Sequence, residues 1–119
     1  MAQHLFFAIA FSCLLTHEMD AIRQREWKIF PILTALPDEP GSIVFTGLHV
    51  PLYALLLWRL RSPGASASII TGLDIFCMIH VGLHVIFHNH RHNHFRSPFS
   101  WALILGAGLA GAIDLLSRR

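Results

Sequence analysis

The chain has 119 residues, of which 54% are hydrophobic and 13% charged, with a net charge of +2 and a mean hydropathy of +0.53. A soluble domain normally carries about 25% charged residues, so this chain lacks the side chains that would cover a surface in water. The small net charge, with no basic stripe among aromatic residues, excludes nucleic acid as an expected partner.

The first apolar segment predicts a helix over residues of about 3–30. It is apolar from Leu5 to Leu15 and then becomes polar, with no glycine or proline before Pro31. The helix is therefore expected to continue past the membrane boundary near Arg23. The segment from Pro31 to Pro40 contains three prolines and predicts a partly interfacial loop.

The second predicted helix covers about 42–60, with Ser42 as its N-cap and a kink at Pro51. The third covers about 68–88. The fourth covers about 98–116, where Ser97 and Pro98 provide an N-cap and a first-turn proline. Its small residues permit close helix packing in lipid, and they include Gly106, Ala107, Gly108, Ala110, Gly111 and Ala112.

These four segments are each long enough to span a bilayer. The predicted fold is all-α: a four-helix transmembrane bundle, up-down-up-down, forming one integral-membrane domain over residues 1–119. Its expected surroundings are the lipid bilayer. Lys and Arg residues are nearly balanced between the two sides, so the positive-inside rule leaves the orientation open.

Histidines from three of the predicted helices fall at a similar depth, about 7–13 Å inside the leaflet on the side of the first and third loops. His80 and His84 have the i, i+4 spacing that lets two imidazoles bind one ion. Asp20 shares a helix face with His17. The predicted metal ligands are His17, Asp20, His49, His80 and His84. Imidazole and carboxylate together suit a divalent transition metal, with zinc or iron favoured.

Other interpretations compete at single positions. An intramembrane histidine often only hydrogen-bonds a neighbouring helix, and His49 is equally explained by a bond near the Pro51 kink. Asp20 has the i, i+3 spacing to pair with Arg23. A histidine-rich segment follows the third helix, with His88, His90, His92 and His94; exposed clusters of this type bind metals non-specifically.

Glu18 points about 100° away from His17 around the helix, so the same ion need not consume it as a ligand. It is the predicted catalytic residue, as a general base, and a surface pair with Arg25 is the alternative. The first functional hypothesis is accordingly a membrane metalloprotein, as an enzyme on a lipid-like or quinone-like substrate. The alternatives are a haem- or pigment-binding subunit and a structural accessory subunit, with other membrane subunits or a second copy as partners.

Several motifs resemble those of a family of small, uncharacterised bacterial membrane proteins with four helices. That family carries a His-Glu-x-Asp-Ala motif followed by Arg and Glu-Trp, a Leu-His-x-Pro motif, and an Asp spaced before paired histidines. The matching positions are His17, Glu18, Asp20, Ala21, Arg23, Glu26, Trp27, His49, Pro51, Asp74, His80 and His84. The resemblance covers nearly the whole chain and implies a bacterial inner-membrane location, but no known activity.

Overall fold

The computed structural model describes residues 4–118, and over this range the chain is helical and contains no β-strand. The four long helices are α1 (Leu5–Arg23), α2 (Asp38–Arg61), α3 (Ser66–Ile86) and α4 (Pro98–Ser117). Two short 3-10 turns, Glu26–Ile29 and Leu33–Ala35, lie between α1 and α2. All four helices are long and apolar enough to cross a membrane. The predicted all-α class with four candidate membrane spans is confirmed.

The first helix is shorter than expected. It ends at Arg23 and does not continue to about residue 30, because Arg25 adopts a left-handed backbone conformation with φ 55°. This residue reverses the chain into the turn Glu26–Ile29, which buries Glu26 and Trp27. The predicted start of the helix, at residue 3, lies outside the described residues.

The second helix begins earlier than its predicted N-cap, Ser42. It starts at Asp38, so its first turn includes the carboxylates of Asp38 and Glu39. Negative charge there is favourable because it faces the positive end of the helix dipole. Pro51 lies inside this helix, as predicted.

The fourth helix packs between α1 and α3 and runs antiparallel to both. Near one end of the molecule, the Phe7 N–H donates a 3.0 Å hydrogen bond to Asp114 Oδ1. Near the other end, Ser100 Oγ donates a 2.5 Å hydrogen bond to Asp20 Oδ2. One part of the core is made of small and medium side chains: Ala10, Leu14, Cys77, Ala107 and Ala110. A second part contains larger ones: Ala21, Trp27, Phe45, Phe95 and Ile104.

The glycines of α4 lie where the helices approach most closely. A Cβ added at Gly111 would stand 3.0 Å from the backbone oxygen of Asp74 on α3. Gly108 faces Val81 of α3, and Gly106 faces Cys13 of α1. The expectation of close helix packing through these small residues is confirmed. Arg118, one turn beyond Asp114, also pairs with the buried Asp74 and donates a 3.0 Å hydrogen bond to Thr71 Oγ1.

The second helix stands at the edge of this three-helix core. Only Gly41 and Phe45 are buried along α2. A Cβ at Gly41 would lie 2.5 Å from Trp27 Nε1, so this glycine lets the first turn of α2 approach the indole. The rest of α2 exposes apolar side chains, among them Leu48, Val50, Leu55, Leu57 and Trp58. The bundle is therefore less regular than four equally packed helices.

Replacing Gly111 by alanine is expected to destabilise the protein by about 1–3 kcal/mol, because the new methyl group meets the α3 backbone, which has little freedom to move. Gly82 is the matched control: it lies in α3 with nothing within 4 Å of an added Cβ. Gly82→Ala should be neutral or stabilising by up to about 1 kcal/mol, the helix-propensity gain. Thermal unfolding in detergent micelles measures both. Equal melting temperatures for the two variants would contradict the close contact at Gly111.

Candidate metal centre

Four buried side chains bring potential metal-ligating atoms together between α1, α3 and the turn that follows α1. They are His17, Glu26, His80 and His84, and one ligand atom from each lies within 4.8 Å of all the others. His80 Nε2 and His84 Nε2 are 3.1 Å apart, and Glu26 Oε1 is 3.7 Å from His84 Nε2. This cluster could hold a metal ion.

His17 is the least satisfied member of the cluster. It is only 1% exposed, and neither ring nitrogen has a hydrogen-bond partner among residues 4–118. Its ring centroid lies 4.8 Å from that of His80 and 4.9 Å from that of His84, with Phe95 at 5.2 Å. A buried polar group without a hydrogen-bond partner lowers the stability of the folded protein by about 1–3 kcal/mol. The His17 imidazole is therefore destabilising unless a ligand binds it.

Local structure explains how the four side chains meet. His80 and His84 are one turn apart on the buried face of α3, which also carries Asp74 and Cys77. Glu26 reaches the same place because the chain reverses at Arg25 and turns the carboxylate inward. Burial, reinforced by the nearby carboxylates of Glu18 and Asp20, raises the pKa of Glu26 to about 8.

Three of the five predicted ligands, His17, His80 and His84, are thus brought together. Asp20 is buried but engaged elsewhere: Ser100 Oγ donates to its Oδ2, and Arg23 Nη2 donates to its Oδ1 at 2.7 Å. It therefore ties α1 to α4, and the pairing with Arg23 expected from their spacing is present.

His49 also lies outside the four-residue cluster. Its Nε2 is 2.9 Å from Glu18 Oε2, and its Nδ1 is 2.7 Å from the carbonyl oxygen of Phe45. The predicted catalytic residue, Glu18, is thus paired with His49, and the surface ion pair of Arg25 is made with Asp38 instead. This contact joins α1 to the peripheral α2.

Glu26 was not among the predicted ligands, because an unbroken first helix would have carried it past the membrane boundary. Its position depends on the left-handed conformation of Arg25, which no local sequence pattern predicts: glycine or asparagine would be the usual residue there. One signal was available. The motif that supports the family resemblance includes Glu26 and Trp27 beside His17.

A cleft of about 420 Å³ adjoins the cluster, between α2, α3 and the turns. Glu26, His80 and His84 form part of its wall, and Glu18 lies in it as well. Most of the remaining wall is apolar and includes Ile29, Phe30, Pro31, Phe45, Phe76, Leu83 and Phe87, with His90 from the histidine-rich segment. The cluster is therefore adjacent to a space large enough for a small molecule.

Replacing Asp20 by asparagine should destabilise the protein by about 2–3 kcal/mol, because it weakens charge-assisted hydrogen bonds in a buried site. The metal content of the folded protein should not change. Asp38→Asn is the control, since that side chain is 57% exposed in its pairs with Arg25 and Lys28, and the substitution should destabilise the protein less than Asp20→Asn does. Metal loss in Asp20→Asn at an unchanged melting temperature would instead make Asp20 a ligand.

Comparison with known proteins places the chain in a family without assigning an activity. No curated protein matches it, and no solved structure does. A family model described as a family of unknown function, DUF6713, matches residues 3–119, nearly the whole chain. The expectation of an uncharacterised family is confirmed at that level. The chain belongs to the family of unknown function DUF6713.

Proposed function

We propose that this protein is an integral membrane metalloprotein that binds one divalent transition-metal ion through His17, Glu26, His80 and His84. The observation that carries the proposal is the buried His17, whose two ring nitrogens have no partner among the described residues although two other imidazoles and a carboxylate surround it. A metal–nitrogen bond would compensate for the desolvation of this ring. The other three groups would supply the remaining bonds.

The spacing of the cluster suits a single ion. The 3.1 Å between His80 Nε2 and His84 Nε2 is less than twice a metal–nitrogen bond length of about 2.0–2.1 Å, so both nitrogens could bind the same ion. Two atoms bound to the same ion through bonds of this length are at most about 4.2 Å apart. The ligand atoms of the cluster lie within 4.8 Å of one another, so a small rotation of the side chains would let all four bind one ion.

The chemistry of the donors favours zinc or iron. Three neutral imidazoles with one carboxylate are typical of both metals, whereas the absence of a cysteine from this set argues against a soft thiolate site. The competing haem function is less well supported. The carboxylate of Glu26 lies among the imidazoles of the cluster, whereas a haem favours an apolar pocket.

The proposed role of the ion is catalysis on a lipid-like or quinone-like substrate held in the adjoining cleft. A metal ion there would act as a Lewis acid beside an apolar chamber. Glu18 lies in the same cleft outside the four-ligand set, and we propose that it transfers protons together with its partner His49. The proposal places the protein in the bacterial inner membrane. A purely structural accessory subunit would not account for the unpartnered His17.

Elemental analysis of protein purified without a residual histidine tag tests the metal centre directly. We expect about one zinc or iron per chain, falling to about a tenth of that in His17→Ala. His94→Ala removes an exposed histidine outside the cluster and should keep the full content. Metal-free wild-type protein, or a haem absorption band, would refute the proposed centre.

Replacing each of the two glutamates in the cleft by glutamine distinguishes their proposed roles. Glu26→Gln should weaken metal affinity at least about tenfold, because the buried carboxylate is a proposed ligand. Glu18→Gln should keep the metal, because Glu18 is proposed to transfer protons and not to bind the ion. Competition with a chelator measures both affinities. The reverse order of losses would assign Glu18 to the ion and Glu26 to a supporting role.

A further inference from the structure

The wall of the cleft is rich in aromatic rings. Four phenylalanines, Phe30, Phe45, Phe76 and Phe87, line it together with Leu83. Phe76 and Phe87 are 42% and 40% exposed, so the cleft reaches the outer surface of the helices. Aromatic walls favour a flat ring, which they contact by stacking or edge-to-face packing. A volume of about 420 Å³ accommodates such a ring with the first part of an apolar tail.

The charges in the cleft wall determine which head groups a ligand can have. The cleft wall contains the carboxyl groups of Glu18 and Glu26, and among residues 4–118 no lysine or arginine lines it. A phosphate or carboxylate head group would face these acidic groups with no cation in the wall to offset them. A neutral head with carbonyl or hydroxyl oxygens avoids that repulsion.

Glu18 is a polar group of this wall outside the four-residue cluster, and it is paired with His49. The Phe45 carbonyl oxygen can only accept, so His49 Nδ1–H donates to it. The 2.9 Å contact between His49 Nε2 and Glu18 Oε2 then requires a second proton, because two lone pairs would otherwise face each other. Whichever atom holds that proton, the pair is neutral overall. That proton lies between Nε2 and Oε2, so the second oxygen of Glu18, Oε1, remains as an acceptor for a ligand hydroxyl, such as that of a reduced quinone ring.

We propose that the cleft binds a quinone-class amphiphile, a neutral six-membered ring with oxygens at opposite ends and an apolar tail. One oxygen faces the metal centre at His80 and His84, and the other faces Glu18, which accepts a hydrogen bond from it when the ring is in its reduced, hydroxyl form. The tail leaves past Phe76 and Phe87 into the bilayer. Only the contact on the metal side rests on the proposed metalloprotein function, since the phenylalanine walls and the Glu18–His49 pair are independent of an ion.

The test is a titration of the full-length, metal-analysed protein in lipid nanodiscs with decylubiquinone, read by quenching of tryptophan fluorescence. Trp27 reports on the cleft, because its ring centroid is 5.8 Å from that of Phe45 in the wall. Trp58, 64% exposed on α2, and Trp101 on α4 are replaced by phenylalanine, so that the fluorescence comes from Trp27. We expect saturable quenching at about one site per chain.

A pair of variants locates the site. Phe76→Ala removes one wall of the cleft and should weaken binding about five- to tenfold. Phe99→Ala removes a ring that is 57% exposed on α4 and does not line the cleft, so the affinity should not change. Equal effects of the two variants, or no saturable quenching in the parent, would overturn the proposal.

Competition identifies the ligand class. Oleate, with a carboxylate head, and monoolein, with a neutral head on an acyl chain, should each fail to displace the quinone at equal concentration. Displacement by oleate would contradict the charge argument, and displacement by monoolein would contradict the preference for a ring. If protein that contains no metal binds quinone saturably, the proposed metal centre is wrong and the proposed ligand class is supported. Metal-loaded protein that binds no quinone would overturn the ligand class alone.

Discussion

Desolvation of polar groups is the constraint on which this structure depends. An imidazole or carboxylate placed among apolar helices loses its water, and it needs a hydrogen bond, an opposite charge or a metal in exchange. Nearly every buried polar side chain described above has such a partner. His17 has no partner for either ring nitrogen, and it lies among two imidazoles and a carboxylate that together could bind a cation.

The same constraint organises the packing of α4. At one end of this helix Ser100 binds Asp20 of α1, and at the other end Asp114 receives the Phe7 N–H. Arg118 reaches across to Asp74 of α3. Between these polar contacts, Gly108 and Gly111 let the helices pack at short range. The polar contacts fix the register, since a slip by one turn would leave a buried carboxylate without its donor, and the small residues provide the contact area.

The sequence predicted most of what periodicity and composition control. Four apolar segments, the small-residue face of α4 and the convergence of His17, His80 and His84 all follow from spacing and helical rise. It did not predict features that depend on one backbone angle or on a choice between partners. The reversal at Arg25 brings Glu26 inward, and Asp20 binds Ser100, which lies 80 residues away in sequence. Neither of these contacts leaves a periodic signal.

The peripheral position of α2 determines which of its residues can be replaced without loss of packing. Its closest contacts with α1 and the turn Glu26–Ile29 are made by Gly41 against Trp27, by Phe45, and by His49 against Glu18, all in its first half. Beyond these positions its side chains are mostly exposed, so they are constrained by apolar character and not by shape. Among members of the family, substitutions between apolar residues should therefore accumulate in the second half of α2. The facing surfaces of α1, α3 and α4, where one added methyl group meets backbone, should change slowly.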